Sequence, residues 1–280
     1  MEAYSDFATV YDTFMDETPY DVWGDFVAGL IEKYGISKPS VNREGQQDTH
    51  AEDDLEAALS EERNLVVELG CGTGSFTMEM AEKGYDILGI DLSPDMLNIA
   101  RRKSADAGLD IMYLEQDMRE LDLYCTAGTI VSVCDSVNYL LGDEDVIDTF
   151  RLVNNFLYPK GIFIFDFNTL HKYRDVIGDA TIAENREDCS FIWDNYYHEE
   201  EHINEYDLTI FVKCSDNENL FNRFSETHYQ RGYTLEEMKS FVKAAGLEFV
   251  DAVDADTHED PNDESERIYI IARESGKDAG

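Results

Sequence analysis

"LVVELGCGTGSF", residues 65–76, is the stretch on which the fold turns. An apolar run from Leu65 meets Glu68 and Leu69; Gly70, Gly72 and Gly74 then alternate with Cys71 and Thr73 before Ser75 opens a helical pattern. A buried strand, a glycine turn and a helix start together let a ligand approach the backbone closely, at the end of the helix where free N–H groups point outward. The dinucleotide fingerprint is spaced G-x-G-x-x-G. Here the spacing is G-x-G-x-G, with Ser75 where the last glycine belongs. That difference alone leaves the ligand open, so the decision falls on the strand ends further along the chain.

Beyond the turn, strand and helix alternate. Residues 65–69 read as a strand, Ser75–Lys83 as a helix, 85–92 as a second strand, and 93–108 as a helix that Ser93 caps and Pro94 opens. Third, fourth and fifth strands come at 110–117, 128–136 and 161–168, with a helix over 143–157. The continuous apolar run "GTIVSVC" suits a sheet covered on both faces. This rhythm predicts an α/β fold, a Rossmann-like doubly wound sheet. It breaks at 189–231, where three strands with polar turns predict an inserted antiparallel β-sheet. A helix over 234–246, opened by a capping box of Thr234 and Glu237, leads to closing strands at 247–255 and 266–274, making seven strands with the last pair antiparallel.

Upstream, Phe7, Val10, Tyr11 and Phe14, then Trp23, Phe26, Val27, Leu30 and Ile31, have helical spacing on either side of Pro19. Residues 1–36 are thus expected to form an N-terminal helical cap, and 37–63 an acidic loop with one short helix at 53–62. The Rossmann-like domain would occupy 64–188 and 232–275, and the inserted sheet 189–231 would serve as a substrate wall or a dimer interface offering Trp193, Tyr196 and Tyr197.

The charge balance narrows the partners. The 280 residues carry 22 Lys+Arg against 61 Asp+Glu, a formal net charge of −39. Such a field repels polyanions and disfavours a nucleic-acid substrate, since no basic stripe offsets it; "RRK" at 101–103 sits at a helix end, where cations complement the dipole. The 5 cysteines form no CxxC pair. With no apolar leader segment they predict free thiols in a reducing cytoplasm. No apolar run approaches the roughly 20 residues of a membrane span. His198 and His202 lie four apart without zinc spacing, so no metal is expected.

Open parallel sheets bind ligands past the carboxyl ends of their strands. At those ends stand the three glycines, Asp91, Asp117, Asp135 with Ser136, and Asp166 with Asn168. A carboxylate at Asp91 suits the two hydroxyls of a ribose, since Asp95 already supplies charge to the helix start. Asp117 is placed to accept from an adenine amino group, or else is a turn residue, and Met118 to cover the ring.

"VVELGCGTG", "GIDLSPDML", "EQDM" and "VCDSVNYLL" resemble, in order and spacing, the successive motifs of class I S-adenosylmethionine-dependent methyltransferases, over roughly residues 64–170. The cap and "HYQRGYTLEEM" resemble a bacterial subgroup with an N-terminal helical cap and a β-insertion. The resemblance implies S-adenosyl-L-methionine as cofactor and S-adenosyl-L-homocysteine as product. It implies that Gly70, Cys71 and Gly72 hold the methionine end, that Glu68 organises the turn, and that Asp91 holds the ribose with Leu92 and Met96 beside the adenine. Asp117 and Met118 would contact the adenine, Cys134 and Asp135 would face the methionine and the methyl, and Tyr11, with Tyr4 and Tyr20, would close over the cofactor.

For the acceptor, His228 and Asp135 are the candidate catalytic groups, and Tyr139, Gln230 and Arg231 the candidate substrate contacts. On a regular strand His228 and Gln230 share one face while Arg231 takes the other, so the three cannot all touch one ligand. Four readings of function stay open: methyl transfer to a small molecule, methyl transfer to a protein or RNA, a cofactor-binding or oligomerising module, a homodimer through the inserted sheet included, without catalysis, and an NAD oxidoreductase.

Overall fold

A computed structural model describes residues 8–40, 51–214 and 217–277. Its centre is the strand expected before the glycine turn: β1 (Val66–Leu69) is buried along its whole length, as is β4 (Ala127–Ser132) beside it. On the other side of β1 lie β2 (Ile87–Asp91) and β3 (Met112–Glu115), and beyond β4 lies β5 (Leu157–Asn168). All five run parallel. The sheet is completed by β11 (Arg267–Arg273), antiparallel to β5, and by β10 (Glu248–Asp254), antiparallel to β11.

Both faces are covered, which is why the central strands are buried at every position and mostly apolar, with Glu68, Thr129 and Ser132 the buried polar exceptions. Successive residues of β5 go to opposite faces. Phe163, Phe165 and Phe167 pack with Val146, Phe150 and Val153 of α6 (Asp143–Phe156) and Met238, Phe241 and Val242 of α7 (Leu235–Ala244). Ile162 and Ile164 pack with Val27, Leu30 and Ile31 of α2 (Tyr20–Tyr34) and Phe76 and Met80 of α4 (Ser75–Glu82). The helix α5 (Pro94–Ala107) begins as its sequence predicts, with the Ser93 hydroxyl accepting from the Met96 N–H at 3.3 Å, and ends at Gly108 in the left-handed region. The acidic segment holds a longer helix than expected, α3 (Ala51–Asn64).

The second sheet has four strands, not three: β6 (Thr181–Asn185), β7 (Cys189–His198), β8 (Ile203–Cys214) and β9 (Asn217–Arg231), in that order and antiparallel. β6 escapes a pattern-based reading because it is a short edge strand exposed on both faces, so its residues do not alternate between apolar and polar. The chain leaves the main sheet at Thr169 and returns at Tyr233, and these two residues bridge each other. Trp193 is not the exposed interface residue its sequence suggests: it lies on the inner face of β7, against Tyr206 with ring centroids 4.9 Å apart, and Tyr197 shares that face, whereas Tyr196 is exposed.

That inner face receives the cap helix α1 (Ala8–Phe14). Val10 is buried with Cys189, Tyr206, Leu208 and Ile210, and Phe14 meets Phe191 edge-on at 4.8 Å. Among the described residues no helix is long and apolar enough to cross a membrane.

Candidate active site

The site is built from the turn outward. The N–H groups of Gly70 and Cys71 both donate to the carbonyl of Ile90, at 2.8 and 2.9 Å, so the turn hangs on the end of β2. Gly70 and Gly72 have φ of 74° and 54°, a region that side chains enter at a cost. At Gly70 a Cβ would lie 2.4 Å from the Ser136 hydroxyl oxygen, while at Gly72 nothing lies within 4 Å. The first glycine therefore allows two loops to touch, and the second leaves open space beside the backbone.

Asp91 locks this arrangement. One carboxylate oxygen accepts from the Gly72 N–H at 2.7 Å and the other from the Ser93 N–H at 2.8 Å. Burial pushes its carboxyl up, against the pull of these backbone donors. Glu68, near the end of β1 and fully buried, accepts from the Thr77 hydroxyl. Burial pushes its carboxyl up to about 8.

Around the turn lies a cavity of about 500 Å³, the size of a small-molecule site. Glu68, Gly70, Cys71 and Gly72 line one side; Asp91, Leu92 and Met96 line the next; Asp117 and Met118 close a third. Cys134 and Tyr139 line it from the loop after β4, and Tyr11 and Tyr20 from the cap. Tyr4 lies outside the described residues. Burial raises the phenols of Tyr11 and Tyr20 and the thiol of Cys134 well above their ordinary ranges, so all three stay protonated near neutral pH.

The cap is held down at two points near the end of α1. Asp12 accepts from the Thr73 hydroxyl at 2.6 Å and pairs with Lys103 at 2.7 Å, and Lys103 also donates to the Ser75 hydroxyl. Asp16 takes the guanidinium of Arg186, between β6 and β7. The basic cluster at 101–103 thus includes the cation that ties the cap to the glycine turn.

Four expected site residues are not among those lining the cavity. Asp135 accepts from Gln230 Nε2 at 2.6 Å and Arg267 Nη2 at 2.7 Å. Gln230 in turn accepts from the Tyr173 hydroxyl at 2.9 Å. His228 is buried on the inner face of β9, stacked on Tyr206 at 4.9 Å, with Nε2 3.3 Å from a Glu226 carboxylate oxygen. Arg231 points the other way, to Asp143 at 2.6 Å and Glu237 at 3.5 Å. The strand's alternation decides the faces, and in so acidic a chain an arginine finds carboxylates before it finds a ligand. Asp117 is also more engaged than expected, since the Arg119 side chain donates to both of its oxygens. Gln116, Arg119 and Ser136 line the cavity as well, beyond the residues that the motifs imply. Of these, Gln116 carried a signal in its place inside "EQDM" and Ser136 in its place inside "VCDSVNYLL".

Residues 66–161 match the model of a family described as a methyltransferase domain. Over 274 residues, 97% of each chain, the protein is 35% identical to "Putative methyltransferase YqeM" of Bacillus subtilis (strain 168). The chain belongs to the class I S-adenosylmethionine-dependent methyltransferases. A solved S-adenosylmethionine-dependent methyltransferase from Clostridium acetobutylicum shares the fold, with a TM-score of 0.77 at 24% identity over 98% of this chain and 100% of that one. A further methyltransferase is 29% identical over 113 residues, 40% of this chain and 46% of its own: the dTDP-3-amino-3,4,6-trideoxy-alpha-D-glucopyranose N,N-dimethyltransferase of Streptomyces venezuelae.

For a methyltransferase of this class the cofactor is S-adenosylmethionine. The open space beside Gly72 and the carboxylate of Asp91 next to it suit its size and its ribose hydroxyls. Glu68 gives the methyltransferase a measurable pH signature. Its carboxyl holds a proton up to about 8 when folded but ionises in the ordinary carboxylate range when unfolded, so between those values the folded state binds the extra proton. Stability is then lost as pH rises, with a slope approaching ~1.4 kcal/mol per pH unit for one proton. Glu68→Gln is expected to flatten urea-unfolding stability between about pH 5 and 8 relative to the wild type. A mutant profile parallel to that of the wild type would remove Glu68 as the cause.

Proposed function

We propose that the cavity binds S-adenosylmethionine, with its methionine end on Gly70–Gly72, its ribose on Asp91 and its adenine between Leu92, Met96, Asp117 and Met118. The acceptor is a small molecule that enters between the cap, Tyr139 and the inner face of the second sheet. The observation that carries this reading is the common lining: residues from the glycine turn, the ends of β2 and β3, the loop after β4 and the cap all face one cavity. A roof made by Tyr11 and Tyr20, latched through Asp12, favours a compact acceptor over a folded macromolecule. The aminosugar methyltransferase among the relatives supports an acceptor of that size.

When bound, S-adenosylmethionine supplies an electrophilic methyl group on a positively charged sulfur. The protein orients the acceptor and excludes water, and proximity of this kind supplies much of the barrier reduction. Tyr11, Tyr20 and Tyr139 line the cavity, and aromatic rings of this kind suit a cation. Protonated phenols and a protonated Cys134 thiol are not bases at neutral pH. An acceptor that brings its own lone pair, as a neutral amine does, needs no base from these three groups.

Titration of the purified chain with S-adenosylmethionine, S-adenosylhomocysteine and NAD, read by thermal melting, tests the cofactor assignment: the first two raise the midpoint and NAD does not. Methyl-labelled cofactor incubated with fractionated cell extract tests the acceptor. Label in the small-molecule fraction is expected; label confined to protein or RNA would reject a small acceptor.

A further inference from the structure

Two consecutive residues after β4, Cys134 and Asp135, sit at φ of 58° and 54°, a region that non-glycine residues rarely occupy. Such a pair persists only where its surroundings over-determine it. The surroundings here are specific. Asp166, fully buried at the end of β5, accepts the Cys134 N–H on one carboxylate oxygen at 3.1 Å and the Asp135 N–H on the other at 2.7 Å. Arg267 spans the same two carboxylates, with Nη1 3.5 Å from Asp166 and Nη2 2.7 Å from Asp135, while its Nε donates to Asn168 Oδ1 at 3.2 Å. Gln230, the penultimate residue of β9, holds the remaining oxygen of Asp135. None of Asp166, Arg267 and Gln230 is among the residues that line the cavity, yet the loop they hold turns Cys134, Ser136 and Tyr139 into it. The Ser136 hydroxyl then reaches the Gly70 carbonyl at 3.2 Å.

We propose that Asp166 and Arg267 are positioning residues for methyl transfer: they hold the loop after β4 in the backbone conformation that faces the methionine end of the cofactor. This rests on the reading of the cavity as the cofactor site. Gln230 extends the lock to the second sheet, so the acceptor wall and the loop are aligned by one carboxylate, Asp135. The arrangement favours a lock over mere packing. A buried carboxylate with two backbone donors and an arginine fork has a fixed geometry, whereas an apolar filling would tolerate a relaxed loop.

The test compares two probes that differ only at the end this loop faces. S-Adenosylhomocysteine carries the amino-acid portion; 5′-methylthioadenosine keeps the adenosine and the sulfur but lacks it. In the full chain, Asp166→Asn is expected to weaken S-adenosylhomocysteine roughly tenfold while leaving methylthioadenosine within about twofold, as measured by calorimetry. Arg267→Met should do the same, and Arg267→Lys should restore part of the loss, because a point charge replaces the fork. A general loosening of the fold would weaken both probes alike, and equal losses, or no loss in either, would overturn the proposal. If the Asp166 variant fails to fold, Gln230→Met removes one tether only. It should shift the ratio of the two affinities about threefold in the same direction, and an unchanged ratio there would also overturn it. Failure of the wild-type protein to bind either probe would instead reject the cavity as the cofactor site.

Discussion

In Asp91→Ala the thermal midpoint is expected to respond only weakly to S-adenosylmethionine at concentrations that stabilise the wild type. The alanine removes a carboxylate that holds the Gly72 and Ser93 N–H groups and faces the cavity. Each charge-assisted hydrogen bond is worth about 1.5–3 kcal/mol. Loss of one such bond to the cofactor, with slackening of the turn, amounts to an affinity loss of roughly 100-fold. A ligand at about 100 times its dissociation constant stabilises by about 2.7 kcal/mol, and the same concentration after that loss gives only about 0.4 kcal/mol. Differential scanning with and without ligand reads the difference directly. An undiminished shift in the mutant would mean that Asp91 serves the fold alone.

Gly70→Ala should be the most damaging single methyl group in the turn. Its φ of 74° already penalises a side chain, and the new Cβ would stand 2.4 Å from the Ser136 oxygen and 2.6 Å from the Ser136 Cβ. The two loops must separate, and the combined cost of strain and overpacking is ~2–4 kcal/mol. Gly72→Ala is the internal comparison, since its φ is also positive but its Cβ would meet open space. It should cost only ~1 kcal/mol in urea unfolding while weakening the cofactor, because the methyl group enters the cavity. Equal stabilities for the two mutants would refute the contact between the glycine turn and the loop after β4.

The parts of the molecule legible from sequence are those where one local pattern carries the whole message. The turn after β1 is one, because a glycine at φ 74° beside a close neighbour has few replacements. The strand-end acids are another, because an open parallel sheet brings its carboxyl ends to one edge. What stayed hidden depends on who stands across the gap. Whether Asp135 faces the cavity or Arg267 is decided by a positive φ at Cys134 and Asp135, and no residue type there signals it. Arg231 reads equally well as a clamp for an anionic ligand until α6 and α7 bring Asp143 and Glu237 against it. β6 lacks a buried face, so periodicity has nothing to report. His228 is legible as a strand residue, but its stacking on Tyr206 depends on the register of β8 and β9, which no single segment encodes.

The bridge between Thr169 and Tyr233 has a consequence beyond the site. A segment whose two stalks touch enters and leaves the main chain path at one place. Its length can change without lengthening any path the parallel sheet must take. Variation in that stretch leaves the connections of the parallel sheet, and the glycine turn hung on it, unchanged.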